Sequence, residues 1–425
     1  MSLYSTKVSA EILDPRVYIE GVRAEFRLDS DKCYYPDLRI VNLGAQELSA
    51  ASSNIVSQAG LYSLIRHIHL LDGSKQIASL RFANRYLAFD NLRNQNKDNE
   101  SLTQELARAS SMGLHMSDQG NCDEYKTHAV TNETGDQDQR NAYLDLRKCF
   151  GFLEAVSYLD TSMMKDLKVV IEFDKKAQNF LAASNVTFKT KQPQLICTEI
   201  KDEQLKSVLR KQFKGVMYTQ IEHDLVKVPS VTQPAAGATA SQSVALRVKG
   251  YDGKLVGRII ASKSFSDKTK YNRANVTVGQ GEFDSRACIG EAVNFRLNGA
   301  EVYPGSLDSH AKRAMACVEV WGDLNVCPFA NVPAQGNNCQ NSVVNGKGSF
   351  PERAAATDED DRIGQSDYIA VDVSDRVSQL QFDFSRIVLN DTANAFEDAA
   401  LDVNMYAEVQ KQIIVKGSGY EINYV

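Results

Sequence analysis

Two histidines, His67 and His69, stand two residues apart in "LIRHIHLLDG". If that run is a strand, both rings point to one side and could share a metal ion. A metal site needs a third ligand, and the sequence does not place one; the pair is read as satisfied or surface-facing, and no metal is expected. The acidic "TDEDD" at Thr357–Asp361 has carboxylates suited to calcium but lacks the D-x-D-x-D-G loop, so it is read as a solvated loop. Asp145 and Glu154 are the type of pair a glycosidase uses, yet nothing distinguishes them in a chain with 54 acidic residues. There is no G-x-S-x-G, no P-loop and no H-E-x-x-H. No catalytic residue and no cofactor site is expected.

The 8 cysteines, at 33, 122, 149, 197, 288, 317, 327 and 339, fall without C-x-x-C spacing. They read as reduced thiols of a cytosol-like compartment, with Cys327 and Cys339 the best candidates for a disulfide. A net charge of −6 offers no basic footprint for nucleic acid or anionic lipid. No apolar run reaches the roughly 18 residues that span a bilayer. The start, "MSLYSTKVSAEILDPR", lacks the apolar core of a secretory signal.

With so little that could do chemistry, the elements themselves become the subject. At 425 residues, 43% hydrophobic and 24% charged, the chain has material for two large cores. "VYIEGVRAEFRL" (Val17–Leu28) alternates, with Tyr18, Val22, Ala24, Phe26 and Leu28 on one face, and is expected to be one half-buried strand. "IHLLDGSKQIA" reads as a hairpin with a type I′ turn at Asp72–Gly73, followed by helical spacing at Leu80, Ala83, Leu87 and Leu92. The polar stretch Asn94–Arg140 is expected to be a long surface loop carrying a short helix over "ESLTQELARASSMGL". "LKVVIEF" then reads as a strand.

Around Lys189–Gln194 the pattern resets at a polar, Pro-containing stretch. "SVALRVKGYDGKLVGRIIA" reads as another hairpin, with Asp252–Gly253 at its tip. "AVNFRLNGAEVYPG" turns at Asn298–Gly299, and "SHAKRAMACVEVWGDL" reads as a helix with Ala311, Met315 and Val318 on its stripe. A second long loop runs Pro328–Asp361, and "ALDVNMYAEVQKQIIV" closes the chain before the tail "KGSGYEINYV".

Opening strand, turn and helix, long loop and closing strand thus recur in one order in each half. The expected fold is all-β: two tandem eight-stranded antiparallel jelly-roll sandwiches with short helices and long loops. The expected divisions are an N-terminal arm over 1–16, sandwiches over 17–190 and 191–415, and a tail over 416–425.

These features resemble the double jelly-roll major capsid proteins of icosahedral double-stranded DNA viruses, a lineage with adenovirus hexon, tailless membrane-containing phages, large nucleocytoplasmic viruses, virophages and polinton-like viruses. The segments that carry the resemblance are Ile68–Asp90, Phe295–Val320 and the closing "LDVNMYAEVQKQIIV". The compact length and "LLDGSKQI" are most similar to the virophage and polinton-like branch, whereas the tail after Val415 departs from the glycine-rich ending of the large-virus members.

The resemblance implies a homotrimer forming a pseudo-hexagonal capsomer, sandwiches standing perpendicular to the shell, and the two long loops at its outer surface or subunit contacts. It implies partners among neighbouring capsomers, penton and minor capsid proteins, a place in the virion, and synthesis in host cytoplasm or a viral factory. No sequence-specific nucleic-acid binding is implied, and membrane contact is left open. A penton or minor shell protein would need one jelly roll rather than two. A carbohydrate-binding or carbohydrate-active β-sandwich would need aromatics clustered on one face, or positioned carboxylates, and neither is legible.

Overall fold

The structure is a computed structural model and describes residues 8–47, 60–94, 142–174, 188–212, 215–266, 288, 290–321, 368–389, 399–416 and 419–425. The chain begins with β1 (Val8–Leu13), β2 (Val17–Ile19) and β3 (Arg23–Arg27). Val17–Leu28 is therefore a hairpin rather than one strand: Gly21 takes φ +64°, a conformation cheap only for glycine, and sets Val17 opposite Glu25. Ala24, Phe26 and Leu28 enter the core as expected, while Val22, beside the turn, is exposed.

Next come β4 (Cys33–Tyr34), β5 (Arg39–Leu43), β6 (Ala45–Glu47), β7 (Ile65–Asp72) and β8 (Lys75–Arg81). The β7–β8 turn consists of Gly73 and Ser74, since Asp72 pairs with Lys75. Only Gly73 has positive φ, +60°, the pattern of a type II′ turn and not of the expected type I′ over Asp72–Gly73. Asp72 instead ends its strand, and its carboxylate accepts the Asp166 N–H at 2.8 Å.

Helix α1 (Ala83–Asn94), β9 (Ala142–Asp145), α2 (Gly151–Ala155), β10 (Leu159–Asp160), β11 (Leu167–Phe173), β12 (Phe188–Thr190), β13 (Gln194–Ile200) and α3 (Glu203–Gln212) complete the first half. One sheet runs β10-β4-β13-β5-β9 with β1 beside β13; the facing sheet runs β2-β3-β11-β7-β8; β6 and β12 form a ribbon.

The second half contains β14 (Gly215–Val228), β15 (Thr239–Val248), β16 (Leu255–Phe265), β17 (Ala292–Leu297), β18 (Ala300–Glu301), α4 (His310–Trp321), β19 (Ile369–Arg376), β20 (Leu380–Leu389), β21 (Leu401–Lys416) and β22 (Gly419–Tyr424). Its sheets run β14-β21-β16-β19, with β22 extending β21, and β15-β20-β17-β18. Counted from β14, strands one, eight, three and six face strands two, seven, four and five, the order of a jelly roll.

The halves repeat in their opening and closing strands: β3-β11-β7 in the first matches β14-β21-β16 in the second. The two hairpins do not correspond. β7–β8 lies in the sheet of its closing strand, whereas β17–β18 lies in the sheet opposite β21. Nor is the segment around Asp252–Gly253 a hairpin: β15 pairs with β20 and β16 with β19 and β21, so the connection crosses from one sheet to the other. Buried Val248 and Tyr251 anchor that crossing, and Gly253, at φ +80°, donates its N–H to Val377 O.

Strand pairing also moves the expected limits. Residues 8–13 are not a free arm but an edge strand on β13, with Val8 opposite Ile200. Gln194–Ile200, assigned to the second sandwich, pairs with β1, β4 and β5 of the first, because its buried Leu195 and Cys197 complete that core. The tail is strand β22, paired with β21 from Lys411 to Lys416.

Two helices differ from expectation as well. α3, unforeseen, starts where Asp202 Oδ1 caps the N–H groups of Gln204 and Leu205 at 3.0 and 3.1 Å. On α4 the expected stripe is turned outward: Met315 is exposed, and Arg313, Ala316, Cys317 and Trp321 face inward. A buried arginine reads as polar, and that hid the true inner face. The helix over residues 100–114, both long loops, "TDEDD" and Cys122, Cys327 and Cys339 lie outside the described residues. Cys33, Cys149, Cys197, Cys288 and Cys317 form no disulfide.

Asn298 and Gly299 form the two-residue turn of β17–β18, with φ +51° and +89° as a type I′ turn requires. The Asn298 side chain also binds the two residues just before β20: Oδ1 accepts from Ser378 N at 3.0 Å, Ser378 Oγ at 2.6 Å and Gln379 N at 3.0 Å. Asn298→Ala loses these bonds and places alanine at positive φ. We expect about 1–2 kcal/mol of lost stability, read by chemical denaturation, and an Asn298→Gly variant that recovers part of it.

Candidate functional site

The residues singled out in the sequence do not converge. Asp72–Gly73, Asp252–Gly253 and Asn298–Gly299 mark separate turns. His67 and His69 do share one side of β7, their ring centroids 6.3 Å apart, but each has its own partner: Phe82 N–H donates to His67 Nδ1 at 3.0 Å, and His69 Nδ1 lies 2.8 Å from Ser79 Oγ. Among the described residues no group of three or more His, Cys, Asp or Glu gathers as metal ligands.

What the structure does build is a seam between the sandwiches. The sheet β14-β21-β16-β19 is buried on both faces. Ile259 and Ala261 of β16, Ile369 and Val371 of β19, and Met405 and Ala407 of β21 fill the second core. The alternate residues Ile260, Tyr368, Ala370 and Tyr406 point outward and join the core of the first sandwich. This is why "GRIIAS" and "DYIAVDV" show unbroken apolar pairs instead of strict alternation.

First-half elements cover that outer face. Helix α1 supplies Phe89, whose ring meets Trp321 of α4 at 5.4 Å and Tyr368 at 5.1 Å, edge-on, and Tyr86, 5.5 Å from Tyr406. Arg85 Nη1 donates to Ser264 Oγ at 2.6 Å in buried surroundings. Helix α2 packs Phe152 on Tyr218 at 5.4 Å, and its first residue, Gly151, lies so near β14 that a Cβ there would sit 1.7 Å from the Thr219 carbonyl oxygen.

Polar bonds cross the seam beside these rings. Tyr218 Oη donates to Ile77 O at 2.7 Å, Gln220 Nε2 to Cys149 O at 3.0 Å, and Tyr406 Oη to Phe82 O at 2.9 Å. Strand β22 extends the link: Tyr420 Oη donates to Asp72 Oδ2 at 2.6 Å, and Lys75 Nζ returns to Tyr420 O at 3.0 Å. The tail is anchored in turn by Glu222, which accepts from Lys254 at 2.8 Å, Lys411 at 2.6 Å and Tyr424 Oη at 3.0 Å. Burial pushes the Glu222 carboxyl up, and the two lysines more than offset it, so it is held below its ordinary range.

The seam histidines are held neutral. Burial, reinforced by Arg66, lowers His67 to about 4. Burial also lowers His223 to about 4 against the bond of its Nε2 to Asn404 Oδ1 at 3.0 Å, with Arg85 nearby. Burial lowers His69 against the pull of Glu172. What the arrangement does is join two β-blocks into one body. Sequence reading missed Gly151, Phe82, Tyr406 and Tyr420. The unbroken apolar pairs in β16 and β19 were the available signal that one sheet has a neighbour on each side.

No protein-family model matches the chain, and no curated protein matches it by sequence. Solved structures do match over nearly all of it. The mavirus major capsid protein aligns at TM-score 0.55 and 9% identity, covering 99% of this chain and 90% of that one. A chain of the Sputnik virophage cryo-EM structure aligns at 0.55 and 9%, covering 98% and 88%. A chain of the PBCV-1 virus capsid aligns at 0.53 and 10%, covering 100% and 98%. Identity this low speaks to architecture, and the architecture agrees with the strand order and the two cores: the chain has the double jelly-roll fold found in viral major capsid proteins.

Proposed function

We propose that the protein is a viral major capsid protein that works by assembly and not by catalysis. Three copies close into a pseudo-hexagonal capsomer, and capsomers tile an icosahedral shell around a double-stranded DNA genome. The observation that carries this reading is a likeness to virophage and PBCV-1 capsid chains that spans both sandwiches together. The seam supports it physically, because a tile must transmit load between its halves. Three-fold closure lets one chain present six sandwiches. Contacts within such a trimer bury roughly 2,000 Å² or more, as obligate interfaces do, and contacts between capsomers are weaker so that misplaced units can dissociate. Neighbouring capsomers, penton and minor capsid proteins are the partners, and the virion is the location.

Light scattering on the purified protein tests the subunit count. We expect about 141 kDa, three times the 47.1 kDa chain. A stable species at the single-chain mass, unchanged on concentration, would remove the capsomer from the account.

A further inference from the structure

We infer that the stack of His67, Phe82 and His223 is an acid-sensitive latch on the seam: protonating its imidazoles loosens the two sandwiches from one another while each keeps its own sheets. Phe82 is the pivot. Its ring lies 5.1 Å from the His67 ring of the first sandwich and 5.0 Å from the His223 ring of the second, and His223 continues to Tyr406 at 5.0 Å. Its backbone carries φ +48°, a left-handed conformation that a bulky residue keeps only when its surroundings hold it there. Three bonds do so: the Phe82 N–H to His67 Nδ1 at 3.0 Å, Tyr406 Oη across the seam to Phe82 O at 2.9 Å, and the Arg85 N–H to the same oxygen at 3.0 Å.

His67 accepts that N–H through an unprotonated Nδ1. A second proton on the ring turns the acceptor into a donor facing a donor, so that bond is lost and Phe82 is held only through its carbonyl oxygen. The surrounding charge works in the same direction. Arg66 of β7 and Arg85 of α1 each place a guanidinium 5.7 Å from the Phe82 ring centroid; Arg81 of β8 and His69 also act on His67, and Arg23 of β3 acts on His69. Opposing them are Glu172 of β11, 3.9 Å from His69 Nε2, and Asp224 of β14, whose carboxylate is engaged by the N–H groups of Gly250 at 2.8 Å and Leu225 at 2.9 Å. From β21 the stack meets the neutral Asn404 and Tyr406.

Folding depresses the basicity of His67 and His223 from 6.5 to about 4. Their contribution to seam stability is therefore complete above pH 6.5 and is lost as pH falls from there toward 4, where the open state binds more protons. Carboxylates of ordinary affinity titrate mostly below about pH 4.5, which leaves a window belonging to the histidines.

The chain contains a single tryptophan, Trp321, and it packs against Phe89 across the seam, so its fluorescence reports the seam directly. On acidification from pH 7.5 to 4 we expect a shift in Trp321 emission with its midpoint between pH 6.5 and 4, while the far-UV strand signal persists. In the His67→Asn, His223→Gln double variant, which keeps both hydrogen-bonding positions without a titratable ring, the midpoint should move at least one pH unit lower or vanish. Emission that stays flat to pH 4, a midpoint unchanged in the double variant, or strand signal lost in step with emission would each overturn the latch. If the double variant does not fold, hydrogen exchange of the unaltered chain decides: after correction for intrinsic rates, residues 77–87 and 215–221 should exchange faster at pH 5 than at pH 7.5, and equal protection overturns the inference.

Discussion

A Gly151→Ala chain is expected to lose at least about 3 kcal/mol of stability, or to fail to fold at 37 °C. The added Cβ would sit 1.7 Å from the Thr219 carbonyl oxygen and 2.9 Å from its carbon. These are backbone atoms of a strand paired along its whole length with β21, so neither side can yield by a rotamer change. Relief requires α2 to withdraw from β14, which would also pull Phe152 off Tyr218 and break the bond from Gln220 to Cys149 O. Gly419→Ala is the control, because nothing lies within 4 Å of its added Cβ; its effect should stay within about 0.5 kcal/mol. Denaturation followed by Trp321 fluorescence measures both. Equal stability of the two variants would mean that α2 does not bear on the seam.

A second large effect is expected inside the second sandwich. Lys263, Glu291 and Arg313 have side chains 0%, 1% and 2% exposed. Lys263 Nζ contacts Glu291 Oε1, Arg313 Nη1 lies 3.8 Å from the same oxygen, and Cys288 N–H donates to Oε2 at 3.0 Å. Among the described residues two cations share this one buried carboxylate. Glu291→Gln removes this buried negative charge while keeping the shape, and we expect a cost of about 3–5 kcal/mol, as when one member of a buried pair is deleted. Lys263→Met removes a cation while Arg313 stays beside the carboxylate, and it should cost less. An equal or reversed ranking would show that packing, not charge, dominates at this site.

The fold was legible where burial is one-sided. Alternation in Arg23–Arg27 and Leu167–Phe173 gave true strands, and Asn298–Gly299 lies at a turn because two consecutive positive φ angles leave few residue choices. It was illegible where local pattern and tertiary context conflict. The text around Asp252–Gly253 looks like a hairpin, yet its flanking strands pair with distant partners, and local spacing cannot report such pairings. Residues 8–13 looked like an end because their partner, β13, lies far away along the chain, whereas residues 419–424 fold straight back on β21 as a hairpin. The inner face of α4 was hidden by Arg313, whose charge is balanced only in three dimensions. The seam was least visible of all. It depends on a glycine admitted by one carbonyl and on aromatic rings spread from Phe82 to Tyr420, and no spacing rule links these positions.

The central claim is that paired sandwiches act as one rigid tile that assembles by threes. Electron microscopy of the purified protein tests it most directly. The account predicts particles of pseudo-hexagonal outline, with six β-blocks contributed by three chains. Isolated two-block particles, or rings with any other number of chains, would contradict it.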